Sequence, residues 1–200
     1  MTLSNPAPRT AEFSRVTNET NVAAALNLDG AGRAEIQTGI GFLDHLFTAL
    51  ARHARFDVRL ECAGDLRVDD HHTAEDCALA LGAALDAALG ERHGIARFGS
   101  ALVPLDEALA RAAVDLSGRP YAWIELGLRR ERLGDLACEN VAHVLRSLSY
   151  AARATLHVDV LRGENDHHRA EAAFKAAAVA LRAAVRRDGG DEVPSTKGVL

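Results

Sequence analysis

The chain is poor in cysteine and in aromatic residues, and it has no long apolar run. Its three cysteines form no CxxC pair, which is typical of small buried thiols in a reducing compartment rather than of a disulfide framework or a thiolate zinc site. No apolar stretch approaches the length of about 18 residues that could span a membrane, and residues 1–10 lack the apolar segment of a signal peptide. The sequence therefore predicts a soluble, cytoplasmic protein without disulfides.

The sequence is rich in hydrophobic residues and in charged residues of both signs. Hydrophobic residues make up 48% of the 200 residues, enough to bury a sizeable core in one domain or in two small fused halves. The formal net charge is −5 with the two signs interspersed, which argues against nucleic acid or an anionic membrane as a main partner. Of the 23 basic residues only Lys175 and Lys197 are lysine, so we expect these two positions to need a compact ammonium group.

Between polar tails at 1–10 and 188–200, the chain contains one pattern twice. Each half has extended stretches, a helix with an apolar face, a strand, and a second helix that opens on paired histidines. The predicted elements are 13–28 (extended), 42–53 (helix), 56–62 (strand) and 70–89 (helix) in the first half, then 101–116 and 122–128 (extended), 140–151 (helix), 154–160 (strand) and 166–185 (helix). The sequence thus predicts an internal duplication.

A lone histidine precedes each histidine pair at nearly the same distance. His45 lies 26 residues before His71, and His143 lies 24 residues before His167. Chance duplication of this spacing is improbable. We therefore predict an α+β fold of two pseudo-symmetric repeats, each a β-sheet covered by two helices.

The repeats define the expected domain organisation. We expect a single domain, 1–200, formed by repeats at about 11–92 and about 93–187. The remaining segment, 188–200, is expected to bind substrate and to close over the ligand near the metals.

Each motif has the spacing of a metal site. Residues i and i+4 lie on one face of a helix, so His71 and Glu75 can bind one cation together. His72 is rotated by about 100° from His71 and must point elsewhere. Adjacent histidines on a helix therefore suit two metals better than one.

The second motif, 167–171, repeats this arrangement. If the halves or neighbouring chains face each other, each metal could take a His/Glu pair from one motif and a lone histidine from the other, and His45 and His143 would complete the ligand shells. Imidazoles and carboxylates without thiolate suit Mn, Fe, Co, Ni or Zn. Asp70 and Asp166, just before each pair, could cap the helix or orient the histidines.

Other classes of protein also use such residues. Ferritin-like di-metal proteins place ExxH motifs on long bundle helices, whereas the strands predicted here interrupt the helices; a very high helix content by circular dichroism would favour that class. A third class is a structural shell protein in which metals only hold the subunits together. Such a protein would assemble when metal is added but would show no catalytic turnover. On spacing alone, His53, His93 and His157 lack a partner pattern and are ordinary side chains.

Seven motifs between Arg15 and Lys197 carry a specific resemblance when they occur together. They are TNET at 17–20, TGIGFLDH at 38–45, HHTAED at 71–76, RFG at 97–99, SGRP at 117–120, HHRAEAAFK at 167–175 and PSTKG at 194–198. The chain resembles the imidazoleglycerol-phosphate dehydratase family of histidine biosynthesis. Leu46 is a minor departure, since methionine is common there, and the length leaves no room for a fused phosphatase domain.

The resemblance implies a fold, an assembly and a set of metal ligands. The fold is a duplicated ribosomal protein S5 domain 2-like half, and the assembly is a 24-subunit homo-oligomer with sites between subunits. Each active site holds two Mn²⁺ ions. The implied metal ligands are His45, His71, His72, Glu75, His143, His167, His168 and Glu171.

The implied reaction is the dehydration of imidazoleglycerol phosphate to imidazoleacetol phosphate. Two cations on the ring nitrogens would favour the imidazolate. The imidazolate can expel the adjacent hydroxyl to leave a diazafulvene, and loss of the next carbon's proton gives an enol. A carboxylate must move these protons. Glu19 and Asp106 are candidates, together with Glu75 and Glu171 as catalytic residues, although Asp106 could instead cap a turn and Glu19 could bind a substrate hydroxyl.

The resemblance also implies phosphate contacts. A single arginine is ordinarily a solvated charge, but Arg119 stands between Gly118 and Pro120, and charged and hydroxyl donors suit a phosphate. The substrate-binding residues implied are Glu19, His45, His53, His71, His72, Glu75, Arg97, Arg119, His167, His168, Glu171, Lys175, Ser195, Thr196 and Lys197.

Overall fold

Short strands with alternating buried and exposed side chains form two four-stranded sheets. The computed structural model describes residues 8–190, 192–198 and 200. The strands are β1 (Thr10–Val16), β2 (Thr20–Asn27), β3 (Ala34–Gln37) and β4 (Asp57–Gly64), then β5 (Phe98–Leu105), β6 (Ala108–Asp115), β7 (Tyr121–Glu125), β8 (Arg132–Leu133), β9 (Leu136–Ala137) and β10 (Thr155–Arg162). The sheet orders are β1-β2-β4-β3 and β5-β6-β10-β7, while β8 and β9 pair separately.

The two sheets share one topology. In each, the first three neighbouring strands pair antiparallel and the last strand pairs parallel, through β4 with β3 and β10 with β7. The alternation is clearest in β2, where Val22, Ala24 and Leu26 are buried. The predicted α+β duplication is confirmed.

Four helices lie between the sheets. They are α1 (Gly41–Ala54), α2 (His71–Leu89), α3 (Cys138–Ala151) and α4 (Asp166–Ala184). Each covers its own sheet, and α2 also packs on α3 while α1 packs on α4. Both helix pairs therefore join a helix of one half to a helix of the other.

Small residues allow these close approaches. A Cβ atom at Gly82 would lie 2.5 Å from the carbonyl oxygen of Leu148, which brings α2 against α3. A Cβ at Gly99 would lie 2.0 Å from the carbonyl oxygen of Ala180, so β5 meets α4 in the same way. Large buried side chains such as Phe47 and Phe174 fill the remaining space. Any side chain at either glycine would force the layers apart.

The structure refines several predicted elements. The stretches at 13–28 and 101–116 are each a hairpin of two strands, and the short strands β3, β8 and β9 were not predicted. The C-terminal segment is not a free tail in its described part. The amide of Asp188 donates to the Gly94 carbonyl, and the Gly94 amide donates to the carbonyl of Glu192. Among the described residues, no helix has the length and apolar character needed to cross a bilayer.

Candidate metal centre

Three side chains at the packing of α2 on α3 form the first metal group: His71, Glu75 and His143. Their ligand atoms lie within 4.8 Å of one another. Nε2 of His143 is 3.0 Å from Oε1 of Glu75, and the imidazoles of His71 and His143 stack with centroids 4.9 Å apart. The His/Glu pair comes from the first half of the chain and His143 from the second, a division of ligands that the sequence leaves open.

The second metal group lies where α1 packs on α4 and consists of His45, His167 and Glu171, again within 4.8 Å. Oε2 of Glu171 is 3.1 Å from Nε2 of His45 and 3.2 Å from Nε2 of His167. Its other oxygen, Oε1, is 2.7 Å from Nζ of Lys175. Burial acts to raise the pKa of Glu171, but the hydrogen bonds from Lys175 and His45 outweigh it and lower that pKa to about 2.

The helix starts are capped one residue earlier than predicted. Oδ1 of Asp69 accepts from the amide of His71, and the Asn165 side chain accepts from the amide of His167, both at 2.9 Å. The capping roles suggested for Asp70 and Asp166 are therefore wrong. Both carboxylates are buried and bind the chain elsewhere, because they face other segments rather than their own helix.

Asp70 instead orients a histidine through a relay. Its Oδ2 accepts from the side-chain amide of Asn140 at 2.9 Å and from the backbone amide of Ala137 at 2.7 Å. Oδ1 of Asn140 then accepts from Nδ1 of His71 at 3.0 Å. This leaves Nε2 of His71 as the nitrogen that can bind a metal. Oδ2 of Asp166 accepts from the amides of residues 129 and 130 and makes no such relay.

The second histidine of each pair points away from both metal groups, as the helical rotation predicts. Nδ1 of His72 is 3.1 Å from Oδ2 of Asp65, and Nδ1 of His168 is 2.8 Å from Oε2 of Glu107. These hydrogen bonds raise the pKa of both histidines. Backbone amides, the Asn165 amide first, and His168 lower the pKa of Glu107 to about 2. A carboxylate on Nδ1 leaves Nε2 for a ligand.

The two candidate proton-transfer residues occupy equivalent places. Glu19 lies in the turn between β1 and β2, and Asp106 lies in the turn between β5 and β6. Oε1 of Glu19 is 3.7 Å from Nε2 of His72, and Oδ2 of Asp106 is 3.9 Å from Nε2 of His168. Both carboxylates are exposed, so each is free to approach a bound molecule.

Several predicted phosphate contacts gather around Asp115. Nε of Arg97 is 2.7 Å from Oδ1 of Asp115, while a guanidinium nitrogen of Arg119 lies 3.8 Å from Oδ2. Arg97 also donates to the carbonyl of Pro194 at 2.7 Å and so fixes the C-terminal segment. The surface cavity beside it has a volume of about 860 Å³ and is lined by Arg97, Phe98, Asp188, Gly190, Glu192, Val193, Pro194, Ser195 and Thr196.

This cavity and the metal groups lie at opposite ends of the helices in the folded chain. The amide of Arg97 donates to the carbonyl of Ala184, at the end of α4, whereas His168 lies at its start. The 16 residues between them span about 24 Å of helix. The same ends are separated by β5, whose eight residues span about 26 Å. Within one chain the C-terminal segment therefore lies far from the metal groups, and its closure over a ligand near the metals stays a prediction.

Unlike the phosphate candidates near Asp115, Lys175 and His53 lie beside the second metal group. Lys175 pairs with Glu171, as described, and His53 follows His45 two turns along α1. Burial, together with the Lys175 ammonium, lowers the pKa of His53.

His157, for which the sequence predicts no functional role, packs on the ring of Tyr121, with 5.6 Å between the ring centroids.

Sequence reasoning missed Asp65, Glu107 and Asn140. Glu107 directly follows the proton-transfer candidate Asp106, so its place beside that carboxylate could have drawn attention to it. Asp65 and Asn140 carry no such signal, since their contacts depend on how loops and helices of different segments meet.

Comparison with known proteins agrees with these observations. The family model described as imidazoleglycerol-phosphate dehydratase matches residues 38–181. An imidazoleglycerol-phosphate dehydratase of Phytophthora nicotianae is 62% identical over 96% of this chain, which spans only 42% of that protein's length. The enzyme of that name from Kluyveromyces lactis is 53% identical, and the match covers 96% of this chain and 97% of the relative.

Solved structures give the same result for the fold. The crystal structure of imidazoleglycerol-phosphate dehydratase from Staphylococcus aureus matches with a TM-score of 0.80 at 34% identity, covering 89% of this chain and 99% of that one. The dehydratase from Pyrococcus furiosus in complex with (S)-C348 matches with a TM-score of 0.81 at 38% identity, covering 94% of this chain and 100% of that one.

Proposed function

The chain belongs to the imidazoleglycerol-phosphate dehydratase family, and from that premise we propose that it dehydrates imidazoleglycerol phosphate at a two-metal site shared between copies of the chain. Its family makes it a hydro-lyase of histidine biosynthesis. The observation that supports the two-metal site is the crossed pair of groups, His71/Glu75/His143 and His45/His167/Glu171.

The donor sets fit Mn²⁺. Each group offers two imidazole nitrogens and a carboxylate oxygen, the mixed nitrogen and oxygen set that borderline divalent ions accept, and neither contains a thiolate. We assign two Mn²⁺ ions to each active site. When bound, the ions supply positive charge that favours the imidazolate form of the substrate ring.

The residues of the chain then have distinct tasks. Because Asp65 and Glu107 hold Nδ1 of His72 and His168, the Nε2 atoms of these two histidines are available as further ligands. Glu19 is the proposed residue for the proton transfers, and Asp106 is the alternative. The hydroxyl next to the ring leaves as water, and the proton of the following carbon is removed, which gives an enol that tautomerises to imidazoleacetol phosphate.

The separation of the two ends supports a site shared between chains. A substrate small enough to place its ring on the metals cannot place its phosphate on Arg97 about 24 Å away in the same chain. We therefore assign Arg97, Arg119, Ser195, Thr196 and Lys197 to the phosphate of a substrate held on another copy's metals. His72 and His168 would likewise serve a neighbouring copy. The chain is thus expected to act as a homo-oligomer, with 24 subunits as the family resemblance implies.

The activity is tested with imidazoleglycerol phosphate on protein stripped of metal and then reloaded with Mn²⁺. Turnover should vanish on chelation and return with Mn²⁺, and chelation should also loosen the oligomer, because ligands that join elements also stabilise the folded assembly. Protein that turns over equally well without metal would contradict the two-metal site, and protein that never turns over would contradict the activity.

The shared site is tested by complementation. Glu171→Ala removes a metal ligand and Arg97→Ala removes a phosphate contact, so each variant expressed alone should be nearly inactive. Co-expressed chains should recover about one site in four, because each end is intact in half of the chains of a mixed symmetric assembly. Mixed oligomers without recovered activity would show that both ends come from the same chain.

A further inference from the structure

The two metal groups are related by the duplication, yet one position beside them differs in charge. Counting from the first histidine of each pair, Leu79 in α2 corresponds to Lys175 in α4, and neither side chain is fully buried or fully exposed. Each stands four residues after the ligating glutamate, on the same helical face. The first group therefore has an apolar neighbour where the second has an ammonium.

The ammonium is already bound to the ligand. Nζ of Lys175 is 2.7 Å from Oε1 of Glu171, and both side chains are largely buried, at 18% and 14% exposed. An ion at the second group would have to share this carboxylate with a fixed positive charge or displace it. Oε1 of Glu75 lies 3.0 Å from Nε2 of His143, and among the described residues no lysine or arginine forms an ion pair with Glu75. Repulsion between like charges within a few ångströms is strong in a partly buried site.

The histidines His71 and His167 are also oriented by different contacts. Asn140 holds Nδ1 of His71 in the first group and is itself held by Asp70. The corresponding position in α1 is Phe42, whose ring meets His167 edge-on with centroids 5.0 Å apart. A phenyl ring cannot accept a hydrogen bond in the ring plane as an amide oxygen does, so this contact fixes the tautomer of His167 less well.

We propose that the two metal groups differ in affinity and fill in order, with the first group binding tightly and the second binding weakly because Lys175 competes for Glu171. This inference rests on the proposed two-metal function and adds the order of loading to it. The lower exposure of Glu171 acts in the opposite direction, since a desolvated carboxylate attracts a cation more strongly. The 2.7 Å ion pair offsets that advantage.

The test is a titration of the metal-stripped full-length protein with Mn²⁺, in which electron paramagnetic resonance measures the free ion. Two ions should bind per chain, with dissociation constants that differ by at least about tenfold, the lower end of what altering a partner of a ligating side chain does. His45→Ala should remove the weak phase, and His143→Ala should remove the tight one.

Charge-swapping variants assign the difference to Lys175. Lys175→Leu copies the first group's neighbour and should tighten the weak phase towards the strong one, while Lys175→Arg keeps the charge and should keep the difference. Leu79→Lys should weaken the tight phase. Should Lys175→Leu fail to fold, Lys175→Met makes the same neutral change with an unbranched chain.

The outcomes separate the two proposals. Two equal phases in the native protein, or phases that Lys175→Leu and Lys175→Met leave apart, would overturn the ordered loading while leaving the two-metal function intact. Absence of any Mn²⁺ binding would instead overturn the proposed function itself.

Discussion

Asn140 accepts a hydrogen bond from Nδ1 of His71 across 3.0 Å, although the two residues belong to opposite halves of the chain. The contact exists because α2 packs on α3, and it carries the influence of the buried Asp70 to the metal group. The first half thus depends on the second for the orientation of its own ligand.

Asn140→Ala should weaken metal binding at the first group. Without the amide oxygen, His71 can rotate or change tautomer, and loss of such a partner lowers metal affinity by roughly 10–100-fold. The Mn²⁺ titration should show the tight phase weakened and the second phase unchanged. Equal affinity in the variant would mean that packing alone holds the imidazole.

His72→Ala and His168→Ala should be similarly severe. If each supplies Nε2 to a metal, each should lose at least about 10²-fold in kcat/KM, beyond the range of a supporting residue. His157→Ala is the matched control, because its exposed ring lies against Tyr121 and belongs to neither histidine motif. A mild phenotype in one and an inactive enzyme in the other would show that the two motifs have diverged in role.

Lys197→Ala should raise KM for the phosphate substrate. Removal of a charge-assisted hydrogen bond typically costs about 1.5–3 kcal/mol, which corresponds to roughly a tenfold or larger change in steady-state kcat/KM. Lys197→Arg retains the charge and should lose less. Unchanged kinetics at low substrate concentration in Lys197→Ala would remove this residue from the phosphate site.

The ion pair of Arg9 with Asp29 should stabilise the fold in a pH-dependent way. The hydrogen bond from Arg9 lowers the pKa of Asp29 from its ordinary 3.8 to about 2. A carboxyl with a lowered folded-state pKa adds stability that is present above 3.8 and is lost as the pH falls through about 2.

Asp29→Asn measures this contribution. The variant should be less stable than the native protein at pH 7 by on the order of 1 kcal/mol, since the pair is partly exposed. Urea unfolding at a series of pH values should show the difference shrinking as the pH approaches 2. A difference that stays constant with pH would assign the effect to packing.

The sequence predicts the fold class and the pairing of each motif's first histidine with its glutamate because both rest on local periods. The i, i+4 spacing of His71 and Glu75 is a property of any helix, and so is the rotation of His72. Strands of two to four residues such as β3, β8 and β9 carry too few alternations to be recognised. The contact of His72 with Asp65 depends on the path of the loop between β4 and α2, and no local sequence pattern specifies that path.

The distance between Arg97 and Asp106 could be predicted from the sequence. Arg97 precedes the extended run at 101–116 and Asp106 lies within it, so the two residues had to lie at opposite ends of a strand. The distance from Arg97 to His168 could not be predicted in this way, because the contact of His168 with Asp106 is visible only in the structure.

The crossed ligand sets also bear on the descent of the chain. A half-length ancestor with one lone histidine and one HHxxE motif could have completed a three-residue group only by pairing with another copy of itself, and both groups of that dimer would have been identical. With both halves in one chain, each half can differ from the other at equivalent positions. Lys175 beside one group and Leu79 beside the other are differences that an ancestral homodimer could never have encoded.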